Sequence, residues 1–418
     1  MSLDVNISEP DEFNCIELHN CIEIVANIYE LKDFIYHVDI LCGKGENFIA
    51  NVFRVSIKES ESDKNISVIV KTLINTTRQE LFRELHNREV IAYRDIIERY
   101  NVIQNNFTVE DRIVLPKCIF SSTSKNNEVI ILEDLLLSGF ELDSKLAKYE
   151  KLDYPQVRLI ITELAKFHAM SFVYETTDKS FENVRDSFTD LVYQDNFLNK
   201  TKLKNYFQES FQMSLNLIAD EEIKKKLEHV KIKLLDLLKM YTKPKKYNVF
   251  CHGDCWINNI LFKNEGTRRE LCFLDFQAMR YANPITDILY FMYICTDSEF
   301  RSEYFDELKT AYYDTFKIFL KQYNVEANVI YPKEDFDSDI QETLPFGLLV
   351  ALLELRLVTI IPEDQTISKD LDVIPDSEET TEGTALSEDK LYAIRVNDVV
   401  NECINNGVIQ NLLNIVNF

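Results

Sequence analysis

The hydrophobic and polar positions change period along the chain, and the change divides it. Residues 48–57 are dense in β-branched and aromatic side chains, and residues 66–74 alternate apolar with polar; both read as strands, joined by the polar hairpin connection 58–65. Residues 78–100 turn to a helical pattern, with Leu81, Leu85, Ile96 and Tyr100 among the apolar positions and charges between them. A polar loop at 121–128 leads into another strand at 129–133. Beyond Gly139 the chain reads as helices: 155–174, whose buried face carries Ile160, Leu164 and Phe167, and a segment over 200–240. The first forty residues hold at most a weak helix. The apolar run 346–361, interrupted by Glu354 and Arg356, is too short for a membrane span and suits a core helix. Residues 363–390 contain ten acidic residues and little apolar content, which fits an exposed or mobile insertion before a final helix. No internal repeat is visible.

Composition narrows the partners. The 418 residues carry 46 Lys and Arg against 70 Asp and Glu, a formal charge of −24. Such a balance argues against duplex nucleic acid or an anionic membrane surface, either of which needs a basic face. Nine scattered cysteines and an N-terminus with no secretory pattern fit reduced thiols in the cytoplasm. Cys251 and Cys255 flank His252, but no second ligand pair follows, so these read as buried apolar thiols.

The chemistry concentrates between residues 249 and 277. A short apolar strand delivers His252, Gly253 and Asp254 into a loop, Asn258 and Asn259 precede another apolar strand, and a further strand ends near Asp275. A hairpin would bring Asp254, Asn259 and Asp275 to one end of a ribbon. Two carboxylates and an amide oxygen there suit hard oxygen coordination of magnesium, with one acid left over as a base.

His252-Gly253-Asp254, with Asn259 five residues after the aspartate and Asp275 some twenty further on, resembles the catalytic and metal loops of the aminoglycoside phosphotransferase and choline kinase superfamily. With the segments 132–135, 139–140, 164–169 and 274–277, and with 45–48 leading into 52–55, the chain resembles the insect ecdysteroid kinase-like family. The resemblance implies an α+β, protein-kinase-like bilobal fold: a small antiparallel-sheet lobe over residues 1–135 and a large, mainly helical lobe over 136–418. It implies ATP and Mg2+ as cofactors and an alcohol as acceptor, an ecdysteroid or another hydroxylated steroid or xenobiotic. Asp254 would be the catalytic base, Asn259 and Asp275 the magnesium ligands, and Lys71 the contact to the α- and β-phosphates. Glu89 would pair with Lys71, with Glu84 as its rival on the same helix. The backbone of Leu132, Glu133, Asp134 and Leu135 would bind adenine. The nucleotide loop 43–48 lacks the usual three-glycine pattern, so phosphate contacts would fall to backbone N–H groups and to Asn51 or Asn47.

Each assignment has a plainer reading. A strand lysine is ordinarily a solvated edge residue, yet Lys71 stands among Ile69, Val70, Leu73 and Ile74 and needs a partner there. Asp254 and Asp275 could cap turns. His168 and His252 read as packing or bracing residues, Asp287 as an anchor of the catalytic loop or a helix cap, and Trp256 as cleft lining or core. Two rival functions stay open: a choline- or aminoglycoside-like kinase drawing a cationic acceptor, and a catalytically inactive binding module. The second is disfavoured by the presence of Lys71, Asp254, Asn259 and Asp275 together.

Overall fold

The computed structural model describes residues 16–41, 50–60, 64–73, 81–107, 111–125, 127–142, 151–266, 268–359 and 388–417. The loop 43–48 and all but the last three residues of the acidic stretch 363–390 lie outside the described residues.

Helix α1 (Ile16–Ile28) precedes five antiparallel strands: β1 (Phe34–Ile40), β2 (Asn51–Glu59), β3 (Asn65–Thr72), β4 (Cys118–Ser124) and β5 (Asn127–Glu133). Their order in the sheet is β1-β2-β3-β5-β4. Alternation along each strand sorts the two faces. Phe53, Val55 and Ile57 of β2 and Val68 and Val70 of β3 pack with Leu18, Cys21, Ile22 and Val25 of α1. Their neighbours Ile69 and Lys71 therefore point to the other face, where the helix after β3 lies. Strands β1 and β4 were not anticipated, because neither buries a clean alternating stripe: β4 is half-buried or exposed along its whole length.

The helix expected over 78–100 begins, among the described residues, as α2 (Arg83–Ile91), passes through a π-helical turn (Ala92–Ile97) and continues as α3 (Glu98–Asn106). The wider turn seats Tyr93, Ile96, Ile97 and Tyr100 in the same core as α4 (Tyr154–Thr177). Helix α4 starts at a capping box in which Asp153 and Gln156 satisfy each other's backbone N–H groups, with Pro155 in the first turn.

The segment expected over 200–240 is broken. Helices α5 (Phe181–Ser187), α6 (Asp195–Thr201) and α7 (Leu203–Leu217) precede α8 (Glu221–Thr242), which Asp220 caps by accepting from Glu222 N and Ile223 N. Small strands follow. β7 (Val249–Cys251) pairs with β10 (Arg280–Ala282), while β8 (Ile260–Glu265) and β9 (Arg268–Phe273) form a hairpin joined by β6 (Phe140–Glu141). The remainder is helical: α9 (Ile285–Cys295), α10 (Ser298–Gln322), α11 (Ala327–Ile330), α12 (Lys333–Thr359), α13 (Glu388–Asn405) and α14 (Val408–Ile415). An N-terminal five-stranded antiparallel sheet followed by a mainly helical region is the α+β bilobal architecture. The apolar run 346–359 lies in the buried second half of α12. Among the described residues no helix is long and apolar enough to cross a membrane.

Helices α9 and α12 pack so closely that a Cβ on Gly347 would come within 2.7 Å of the Tyr293 ring. Tyr293 is itself buried beneath the Arg301 guanidinium, 4.5 Å from its ring centre, and has little room to withdraw. Gly347→Val should cost about 1–3 kcal/mol by overpacking. Chemical denaturation of the two proteins checks this, and an unchanged midpoint would contradict the seam.

Candidate active site

Lys71 is buried in β3, and its Nζ lies 2.6 Å from Glu89 Oε2 on α2 and 3.0 Å from Asp275 Oδ1. Burial alone would lower the lysine pKa, but the two carboxylates outweigh it and hold the ammonium well above its ordinary value. Glu89 responds in the opposite sense: burial, with Asp275 adding to it, pushes its carboxyl up against the pull of Lys71. Glu84, one turn earlier, pairs with Lys200 at 2.7 Å on the outside of the helix. The helical period thus decides between the two glutamates. Helix α2 is further tied down by Arg88, which donates to Thr189 O and Met279 O.

The second half of the site is the loop between β7 and β8. Buried Asp287, in the first turn of α9, accepts from His252 N at 2.5 Å and Gly253 N at 3.0 Å. It also meets His168 Nε2 at 3.1 Å, and His168 Nδ1 meets Tyr312 OH at 2.7 Å. Burial disfavours the Asp287 charge, but His168 and buried Arg280 hold its pKa below the ordinary aspartate value. His252 Nδ1 accepts from Asp254 N at 3.3 Å while Nε2 donates to Leu274 O at 2.9 Å, so the imidazole braces both chains of the ribbon. Gly253 has φ of +86°, and a Cβ there would stand 2.0 Å from Ala278 O, so no side chain fits. Arg280 Nη1 donates to the Gly253 carbonyl instead, at 3.3 Å.

Asp254 is half-buried, with both carboxylate oxygens engaged. Tyr290 OH donates to Oδ1 at 2.8 Å, and Asn259 Nδ2 donates to Oδ2 at 3.1 Å and to the Asp254 carbonyl at 2.9 Å. Burial and the nearby Asp275 charge push the Asp254 pKa up, against those hydrogen bonds. Leu274 N donates to Asn259 O at 2.8 Å, which sets Asp275 beside Asn259, and Asp275 itself has φ of +64°. With Nδ2 committed to Asp254, the Asn259 amide keeps its oxygen for another partner. That oxygen and the Asp275 carboxylate are hard donors, and the pair fits Mg2+.

The structure therefore brings together Lys71, Glu89, Asp254, Asn259 and Asp275. The other expected contacts lie on or just beyond β2 and β5, the two strands that flank the strand of Lys71. Asn51 opens β2, opposite Thr72 in the register and beside the loop outside the described residues. Glu133, Asp134 and Leu135 lie where β5 passes into a 3-10 turn, and their side chains have structural work. Glu133 accepts from Lys117 N. Asp134 accepts from Arg54 Nε at 2.9 Å, Ser67 Oγ at 2.6 Å and Leu136 N at 3.1 Å, capping the turn. Leu135 packs with Phe140 and Cys272. Only the backbone of this segment is left to meet a ligand.

Three residues near Asp254 escaped the sequence reading: Tyr290, Arg280 and Glu354, the last pushed up to about 8 by burial and by Asp254. Each stands in a stretch that reads as core. The seven cysteines among the described residues form no disulfide with one another. His168, Cys251 and Asp287 place ligand atoms within 4.8 Å of one another, but the histidine and carboxylate already satisfy each other and the loop amides, which makes the group a buried brace.

Solved structures that resemble the chain include an ethanolamine kinase of Plasmodium vivax (12% identity, 92% of this chain and 88% of that one, TM-score 0.40). A microcompartment-associated aminopropanol kinase (11%, 93% and 98%, TM-score 0.46) and a glucosamine kinase (12%, 92% and 96%, TM-score 0.34) are also similar. No curated protein matches. The family model described as "Ecdysteroid kinase-like family" matches residues 44–325, the span from the sheet through the catalytic ribbon to the end of α10, and the chain belongs to that family.

Proposed function

We infer that the chain, as a member of this family, works as a small-molecule kinase. We propose that it transfers the γ-phosphoryl group of ATP to a hydroxyl of an ecdysteroid or a related hydroxylated steroid or xenobiotic, in the cytoplasm and in a Mg2+-dependent manner. The observation that carries the chemistry is the convergence of Lys71, Asp254, Asn259 and Asp275 from a sheet and a ribbon about 200 residues apart. Residues up to 135 act as the nucleotide-binding lobe and those from 136 as the catalytic lobe.

In this reading Lys71, kept cationic by its two carboxylates and held in place by Glu89, contacts the α- and β-phosphates. The backbone of residues 132–135 receives adenine, and Asn51 stands at the phosphate end. Asp254 orients the acceptor hydroxyl and takes its proton, and Tyr290 and Asn259 fix the carboxylate plane. Magnesium, when bound by Asn259 and Asp275, supplies charge neutralisation at the phosphate oxygens. Rate enhancement then comes from positioning and preset charge. A local cation set is consistent with a protein of charge −24, because the field that matters is that of the cleft.

Asp254→Asn should lower kcat about 10²–10⁴-fold, the range for loss of a general base. ATP binding should stay near wild type. A coupled assay and a nucleotide titration check both halves, and near-normal turnover would remove Asp254 from the role of base. Asp275→Ala should weaken nucleotide binding in the presence of Mg2+ and abolish the difference between titrations with and without the ion. An ATP-consumption screen over ecdysteroids, plant phenolics, choline and aminoglycosides tests the acceptor. Turnover with cationic alcohols alone would replace the steroid reading.

A further inference from the structure

One ionisable group on the acceptor side of Asp254 is not used by the chemistry above. Glu354 lies on α12, seven residues after Gly347. Seven residues make two helical turns and return to the same face. That face meets α9 where Gly347 abuts Tyr293. Three residues before Tyr293, on the same side of α9, is Tyr290, whose OH donates to Asp254. The seam thus sets Glu354 against Tyr290 and the catalytic carboxylate. The electrostatics agree: the Glu354 charge is felt at Tyr193, Tyr206 and Tyr290, and the Asp254 charge is felt at Glu354. Glu354 thus stands within electrostatic reach of four groups from four other segments, Asp254 among them.

Among the described residues Glu354 has no hydrogen-bonding or ion-pairing partner, although it is half-buried. The Asp254 carboxylate, by contrast, has a donor on each oxygen. A half-buried carboxyl without a partner, on a helix half that is otherwise mostly buried and within electrostatic reach of Asp254, is placed for a ligand group.

We infer that Glu354 receives a second hydroxyl of the acceptor while the first lies on Asp254, so that the favoured acceptor is a neutral, apolar frame bearing at least two hydroxyls. The inference rests on the kinase reading above. Burial and the Asp254 charge push Glu354 up to about 8, so at neutral pH it is largely a carboxylic acid. That form both donates and accepts, as a hydroxyl does, and offers little counter-charge to an ammonium group.

Calorimetric titration of a polyhydroxylated ecdysteroid into the full chain, loaded with Mg2+ and a non-hydrolysable ATP analogue, tests this without turnover. Glu354→Leu should weaken binding roughly 10–100-fold, as expected when a site loses its hydrogen-bonding group. Glu354→Gln, which keeps a donor and an acceptor, should recover most of it. A steroid with a single hydroxyl should bind the wild type and the leucine variant alike, and the affinity for the ATP analogue should not move in either variant. Should the leucine variant fail to fold, Glu354→Ala carries the same comparison. The inference is overturned if the wild type does not bind the polyol, if the polyol ignores Glu354, or if only choline or ethanolamine binds. Polyol binding that depends on Glu354 without phosphoryl transfer would sink the kinase reading and leave this one. Transfer to the polyol with no dependence on Glu354 would do the reverse.

Discussion

A fully buried carboxylate is tolerable only if its charge is answered on the spot, and Asp287 is the point from which the catalytic ribbon is hung. Its two oxygens receive the amides of His252 and Gly253, and His168 closes the remaining side. Removing such a partner from a buried charge typically costs about 3–5 kcal/mol, so the loop backbone has no comparable alternative position. The consequences run outward. With His252 N fixed, its ring reaches Leu274 O, Leu274 N reaches Asn259 O, and Asp254 and Asp275 are carried on a frame whose atoms are already committed. The anchor comes from the first turn of α9, and α9 also supplies Tyr290. One helix therefore positions the backbone of the loop and one oxygen of its acid.

The ribbon was legible in the sequence because its residues do two things at once. The apolar triplets predict short strands, and the polar residues between them are of kinds that have little reason to cluster unless they hold an ion or a proton. Lys71 was legible for a related reason: a cation among aliphatic neighbours needs an answering charge. What stayed hidden is equally physical. Tyr290 and Glu354 lie on helices that read as core, and only the crossing of α9 and α12 turns them toward Asp254. Arg280 is a buried side chain whose guanidinium meets the Gly253 carbonyl, a contact that only the folded chain reveals. Asp134 illustrates the converse. Its position at the end of β5 follows from the pattern, but that Arg54 and Ser67 occupy its carboxylate depends on neighbours across the sheet.

The elements that escaped prediction share a weak burial signal. β1 and β4 are the sheet's outer strands: β4 buries no residue fully and β1 buries only Tyr36 and Val38, so neither offers a long apolar stripe. The break at Ile218–Asp220 is held by the Asp220 cap and by distant Asn397, which accepts from Ala219 N and donates to Leu217 O. The π-helical turn at Ala92–Ile97 leaves no local mark, since it is the core around Tyr93 and Tyr100 that makes the wider turn worthwhile.

Asp275 adopts a left-handed backbone, which ordinarily costs an L-residue about 1–2 kcal/mol relative to glycine. The chain therefore holds a standing opposition at this one position: the residue that would relax the turn has no carboxylate, and the residue that carries the carboxylate strains the turn. Any selection for thermal robustness alone would push position 275 toward glycine and leave a better-folded protein without the carboxylate that answers Lys71. The aspartate at this position is thus held against the preference of its own backbone by what its carboxylate does.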